Sequence, residues 1–212
     1  MYTPPHFRED DIAVLHEAIR RIAFGTLVTL GPDGLVASHV PLLLDAEKGA
    51  RGTLTGHLAK ANIQTKTEAS DIEALAIFQG PEAYITPNWY ATKQEHGKVV
   101  PTWNYVAVHA YGPISFFEDA ERLRDQVASL TDRHEAANAE PWALNDAPEK
   151  FVQSQLKGII GFEIPITRID GKWKLSQNRP AADKEGVIRG LETRDGADTP
   201  ITTETRQILQ TS

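Results

Sequence analysis

Between Asp10 and Ala23 the apolar residues Ile12, Leu15, Ile19 and Ile22 recur at helical spacing, which predicts an amphipathic helix with one stripe turned to a core. Asp10 and Asp11 precede it, where carboxylates cap the free amides of a first turn. The period then shortens. Phe24 to Leu30 and Leu35 to Leu44 read as strands joined by Gly31-Pro32-Asp33-Gly34, a turn cluster in which Gly tolerates positive φ and Pro fixes its own. Thr53 to His57 forms a further strand, and His57-Leu58-Ala59-Lys60-Ala61-Asn62 reads as a strand end passing into a helix start, where backbone donors gather. Glu73 to Phe78, Ala83 to Thr86 and Val99 to Ala110 complete a run of antiparallel strands. In the last, Trp103, Tyr105, Ala107 and His109 share one face and Thr102, Asn104, Val106 and Val108 the other.

Leu123, Val127 and Leu130 predict a helix over Glu118 to His134, with acids in its first turn and Arg133 and His134 in its last, as the helix dipole favours. A second helical stretch runs to Lys157. Ile159 to Ile169 and Lys172 to Ser176 are expected to pair around Asp170-Gly171, a hairpin dipeptide. One more helix is expected around Asp183 to Leu191, followed by a polar tail over 192–212 that is expected to be disordered. With no repeat and no linker composition, residues 1–191 read as one domain. Short strands interrupted by helices, without strict strand-helix-strand alternation, predict a mainly β, α+β fold: a closed antiparallel barrel with helical insertions.

Composition narrows the function. A chain of 212 residues with a formal charge of -7 does not offer the concentrated Lys and Arg that capture nucleic acid across a whole surface. The most basic stretch, Arg168 to Asp195, mixes seven Lys or Arg with five Asp or Glu, a solvated mixed-charge surface rather than a DNA reader. The absence of Cys excludes disulfides, thiolate metal sites and cysteine nucleophiles. No apolar run approaches the roughly 18 residues of a membrane span, and MYTPPHFRED lacks a secretory leader pattern, so a cytoplasmic location is expected.

There is no GxGxxG, Walker A, HExxH or GxSxG, and neither a catalytic set nor a metal site is predicted. The chemistry collects where strands end. From Gly80 to Gly112 the chain packs four Tyr, two Trp and two His around Pro-bounded turns, a mixture of flat aromatic faces with amide and imidazole groups that suits a planar, polar-edged ligand. Trp103 offers a stacking or edge contact, and Asn104 a donor and an acceptor for a carbonyl and imide edge. Lys60, at a helix start, suits a terminal phosphate. Ser38 and His39 lie in an otherwise apolar strand, where one of the two must be a buried polar group with a partner.

MYTPPHF, Gly56-His57-Leu58-Ala59-Lys60-Ala61-Asn62, Tyr84-Ile85-Thr86-Pro87 with Trp89-Tyr90, VPTWNYVAVHAYG, WKLSQNR and GVIRGL occur in that order. Together they resemble the PaiB-like proteins, described as FMN-binding negative transcriptional regulators, over roughly Met1 to Leu191. The resemblance implies an FMN-binding split barrel related to pyridoxamine-phosphate oxidases, and a homodimer with flavin at its interface. It implies Ser38 and His39 beside the flavin, His57, Lys60 and Asn62 around its phosphate, Trp103 and Asn104 approaching from the same or the partner subunit, and Arg179 closing the site. Oxidase-like relatives carry an Arg and Lys pair near the phosphate, whereas here Ala59 precedes Lys60, which implies a loosely held phosphate. Regulation of degradative-enzyme synthesis and sporulation is the implied role, with DNA as a possible partner. The alternative is an FMN-dependent oxidoreductase taking electrons from NAD(P)H. A weaker one is a haem-binding split barrel with His57 or His109 as axial ligand.

Overall fold

The opening helix forms as α1, Ile12–Ile22, with Leu15, Ala18 and Ile19 buried. It ends at Ala23, whose φ of 54 lets the chain reverse into the next strand: the Ala23 amide donates to Ile19 O and its carbonyl accepts from Leu42 N. The predicted hairpin follows as β2, Phe24–Gly31, and β3, Gly34–Pro41, paired from Phe24↔Pro41 to Gly31↔Gly34. The computed structural model describes residues 1–66 and 72–211. The chain falls into two compact units, one of residues 1–11, 79–108 and 170–212, the other of 12–78 and 109–169.

The second of these holds two antiparallel groups. In one, β3 and β2 lie beside β6, Ala74–Ile85, in register Thr26↔Ile77, and β6 neighbours β7, Thr102–Gly112. In the other, β4, Leu43–Asp45, pairs with β5, Thr53–Ala59. That strand in turn pairs with β9, Ile159–Pro165, whose far edge takes β8, Ser115–Phe117. The core here is Leu27, Leu42, Leu54, Phe78, Phe162 and Ile164, all at most 1% exposed. Gly56 lies opposite Phe162 and Gly161 opposite Phe117, so each ring covers a position that has no Cβ of its own. Helices α3, Ala120–Glu135, and α4, Glu149–Leu156, pack in the same unit, α3 capped by Asp119, whose carboxylate accepts from Arg122 N.

In the first unit the strand order is β1, Arg8–Glu9, then β10, Arg168–Lys174, then β7 and β6. The tip between β6 and β7 carries a 3-10 turn, Pro87–Trp89, and α2, Thr92–His96. Helix α5, Ala181–Asp195, packs on that tip along a single face. Asp183, 1% exposed, accepts from Thr92 N and Oγ1, Gly186 and Gly190 abut Trp89, and Arg194 lies over the Trp89 ring and donates to Tyr84 O.

Three expectations change. Asp170-Gly171 does not turn a hairpin: both residues lie inside β10, Gly171 pairs with Glu9, and β9 pairs with β5 and β8 instead. The break falls at Pro165, which ends β9 and lacks the amide a continuing ladder needs. Two strands expected over 73–86 form one, β6, because Gly80-Pro81 continues the extended backbone rather than turning it. The polar tail is ordered as α6, Pro200–Thr211, with Ile201, Thr202, Glu204, Thr205 and Leu209 buried. Its inward face escapes a hydrophobicity reading because half of it is polar, and Trp173 Nε1 donates to Glu204 Oε2 at 3.2 Å.

Candidate functional site

The polar positions of the second unit group around β3 and the segment after β5. Strand alternation sends Ser38 and His39 to opposite faces. Ser38 Oγ accepts from Asn62 Nδ2 at 2.9 Å. His39, exposed on the other face, shares a hydrogen bond of 2.9 Å with Thr26 Oγ1 and stacks near Phe24 at 6.3 Å between ring centres. The loop bearing Asn62 is anchored from within. Gln64, absent from the sequence-level candidates, is fully buried, and its Nε2 lies at 3.1 Å from Leu27 O, Thr29 Oγ1 and Val36 O, while its amide donates to Asn62 Oδ1. That side chain bolts the loop to the β2–β3 pair through its Nε2, while its Oε1 is buried without a partner among the described residues.

The backbone amides expected to be open at Lys60 are engaged: Lys60 N donates to Gly158 O and Asn62 N to Ala59 O. The cationic head of Lys60 remains half-exposed and pairs with Glu118 at 2.7 Å. An exposed pair of this kind contributes only a few tenths of a kcal/mol to about 1 kcal/mol, so an incoming dianion can displace the carboxylate at small cost.

His57 is turned elsewhere. Its Nδ1 lies 2.9 Å from Gln126 Oε1, and the ring lines an apolar cavity beside α3 and α4. The unit also has a wider cleft of about 520 Å³ lined in part by Lys48, Phe117, Arg122 and Asp125. At its edge Glu163 receives Lys48 Nζ at 2.7 Å and an Arg122 hydrogen bond, with the Arg122 guanidinium 3.7 Å from the Phe117 ring centre. The Lys48 hydrogen bond is the largest cause that holds the Glu163 carboxyl below the usual glutamate range; burial opposes it and Arg122 assists. A depressed folded-state value contributes stability above the unfolded pKa of roughly 4.3, lost as pH falls through the folded value. Urea midpoints of the wild type should therefore drop more steeply on acidification below about pH 4.3 than those of Glu163→Gln. Parallel curves would remove the ion cluster from the acid response.

In the first unit, Asn104 is fully buried, accepts from Ser176 Oγ at 3.0 Å, and keeps an Nδ2 with no partner among the described residues. Ser176 holds a φ of 70, a left-handed conformation that aims its hydroxyl at Asn104. Trp103 is 52% exposed and meets Tyr84 edge-on at 6.0 Å. Arg179 lies 4.4 Å from the centre of the Tyr90 ring and acts on the phenol oxygen, while the buried Tyr90 O–H finds no acceptor among the described residues. Burial pushes the Tyr90 phenol up against the pull of Arg179. Burial first, then Lys172 and Arg179, hold the Lys174 ammonium below the usual lysine value. Asn104 Nδ2 and the Tyr90 hydroxyl are each a buried donor without an acceptor among the described residues, and each suits an electron-rich, carbonyl-bearing edge. Ser176 and Tyr90 fall inside motifs quoted from the sequence, WKLSQNR and Trp89-Tyr90, but neither was named there as a site residue.

Comparison with known proteins decides the family. Residues 1–168 match the family model described as "Putative FMN-binding domain". The chain is 35% identical to "Protease synthase and sporulation protein PAI 2" of Bacillus subtilis, over 92% of this chain and 91% of that one. The chain belongs to the PaiB-like FMN-binding family. Membership extends beyond bacteria, since an uncharacterised Emericella nidulans protein, AN0679, is 37% identical over 91% of this chain and 90% of its own. The fold is shared with solved structures of low sequence identity: the conserved hypothetical protein Rv2991 of Mycobacterium tuberculosis superposes with a TM-score of 0.58 at 14% identity, covering 85% of this chain and 94% of that one. The FAD and haem binding protein of Mycobacterium smegmatis superposes with a TM-score of 0.57 at 14% identity, covering 79% of this chain and 73% of that one. The PaiB-like family model stops short of Ser176 and Arg179. Among the described residues no helix is long and apolar enough to cross a membrane, and no cluster of three His, Cys, Asp or Glu could hold a metal.

Proposed function

We propose that this PaiB-like protein is an FMN-responsive regulator that works as a homodimer, with FMN as the bound ligand whose presence it reports. Family membership supports the cofactor, and the name of the Bacillus subtilis relative, with its reference to protease synthesis and sporulation, supports the regulatory role. The observation that carries the flavin reading is the unpartnered Nδ2 of buried Asn104, because a donor sealed from water without an acceptor costs about 1–3 kcal/mol unless a ligand supplies one. In the second unit, Lys60 with Asn62 and Ser38 suits the phosphate end. The first unit is a candidate by itself: buried Asn104, whose Oδ1 already accepts from Ser176 Oγ, offers its Nδ2 to a carbonyl edge. His39 and Phe24, exposed on the outer face of the β2–β3 hairpin with Leu35 at 78% exposure, supply a surface for a second copy.

When bound, FMN would bring its redox-active isoalloxazine ring, while the chain supplies charge and hydrogen bonds to hold it. Titration with FMN, followed by flavin fluorescence and by mass in solution, tests the whole reading. The wild type should bind as a dimer, and Lys60→Ala should weaken FMN about tenfold or more, as loss of a charge-assisted phosphate contact predicts. An unchanged Kd in Lys60→Ala would remove the phosphate assignment, and a monomer without flavin binding would remove the function. Anaerobic NADPH separates the regulator from an oxidoreductase: a flavin that stays yellow fits the regulator, and rapid bleaching fits the enzyme. Direct DNA contact predicts duplex affinity that falls steeply with salt; no binding at low salt would make the regulation indirect.

A further inference from the structure

The second unit contains a cavity of about 250 Å³, lined by His57 of β5, Val127 of α3, Trp142 of the following loop, Phe151 and Val152 of α4, and Ile159 of β9. Its walls are mainly apolar, with Gln155 the one polar side chain besides His57; Val152 is only 3% exposed, while Trp142 and Phe151 are exposed. Trp142 is held there through its backbone, whose amide donates to Glu135 Oε2 at 3.0 Å. The indole itself remains free to meet a guest.

The imidazole gives this cavity its specificity. Gln126 Oε1 can only accept, so the bond of 2.9 Å places the hydrogen of neutral His57 on Nδ1 and leaves the lone pair on Nε2. Gln126 is 7% exposed and its Nε2 has no partner among the described residues, so the bond to His57 is the one its side chain makes there. No second hydrogen bond to the His57 ring occurs among the described residues, and the ring lines the cavity, so Nε2 is the nitrogen left for a guest. An acceptor in an apolar enclosure selects a ligand that brings one donor. The volume of about 250 Å³ lies just below the roughly 300–1,000 Å³ of drug-sized sites, which limits the guest to one or two fused rings. The lining holds no Asp, Glu, Lys or Arg, which disfavours a charged guest, because no opposite charge offsets the loss of hydration.

We propose that this cavity is a binding site for a small neutral aromatic molecule bearing a single N–H or O–H, of the indole or phenol class, whose hydrogen is donated to His57 Nε2. The ring lies against Val152 and Val127 beneath Trp142 and Phe151. The site stands apart from flavin binding and does not depend on it.

Calorimetric titration of the full-length protein with indole and with 1-methylindole, which has the same shape without the N–H, tests the assignment. Indole should bind saturably and about tenfold or more tightly than 1-methylindole, and should shift the imidazole ¹⁵N resonances of His57. In His57→Leu the preference should vanish while 1-methylindole still binds, which also shows that the variant is folded. Val152→Trp should fill the cavity and abolish both. Saturating FMN should leave indole affinity unchanged. Absence of saturable indole binding, equal wild-type affinities, a preference that survives in His57→Leu, or displacement of indole by FMN would each overturn the proposal.

Discussion

Replacing Gly186 by alanine is expected to destabilise the first unit by about 3 kcal/mol or more, although the substitution improves helix propensity by about 1 kcal/mol. Steric conflict wins because an added Cβ would lie 1.9 Å from Trp89 O, a backbone atom that cannot swing aside as a side chain can. Helix α5 would have to lift from the tip, and with it would go the Asp183 bonds to Thr92 N and Oγ1. Gly190→Ala should act in the same direction, since its Cβ would lie 2.1 Å from the Trp89 indole. Glu185→Ala, exposed on the same helix, should stay within about 0.5 kcal/mol of wild type. Urea unfolding followed by tryptophan fluorescence measures all three. A wild-type midpoint for Gly186→Ala would mean that α5 does not dock on the Trp89 turn.

Phe162→Ala is expected to cost about 3–5 kcal/mol, the usual range for removing a fully buried phenyl ring. Phe162 is 0% exposed, meets Phe116 edge-on at 6.4 Å, and covers Gly56 on the neighbouring strand. On the β5 side collapse around the void is limited, because Gly56 has no side chain that can move in. For a chain of this length such a loss lowers Tm by about 6–20 °C, measurable by calorimetry. Phe162→Leu should recover most of it, since a branched aliphatic side chain refills much of the volume. A Tm within 2 °C of wild type for Phe162→Ala, well under that range, would show that the ring is not a core element.

Local pattern carried much of the fold. Leu15 and Ile19 of the expected α1 stripe, the β2–β3 turn at Gly31 to Gly34 and the face alternation of β7 appear where spacing placed them, because each is set by neighbours a few residues apart, whereas Ile12 of that stripe is exposed and Asp119, expected in the first turn of α3, caps it from outside. Misreadings arose where pairing over long distance overrode a local signal. Asp170-Gly171 has the composition of a turn, yet it lies in β10 because Arg8 and Glu9 supply a partner strand from the other end of the sequence. The ordered 200–211 helix was concealed for a related reason: its buried positions include Thr202, Glu204 and Thr205, polar groups whose burial makes sense only once the groups packed around them are known.

The candidate site divides along the same line. Ser38, His39, His57, Lys60, Trp103 and Asn104 could be singled out as residue types at strand ends, since donors, cations and flat rings are legible in one dimension, and Asn62 and Arg179 were implied by the family resemblance. Gln64, Tyr90, Ser176 and the Gln126 partner of His57 could not. Their significance lies in whether a buried polar atom has a partner, and that is a property of packing.

Family, cofactor class and the order of most elements were thus readable from the chain alone, because short-range periodicity and ordered motifs survive without coordinates. Which nitrogen of His57 is available, which donors stay unpartnered and which glycines touch Trp89 emerged only on folding. Those facts depend on contacts between residues tens of positions apart, where a few tenths of an ångström separate a fit from a clash.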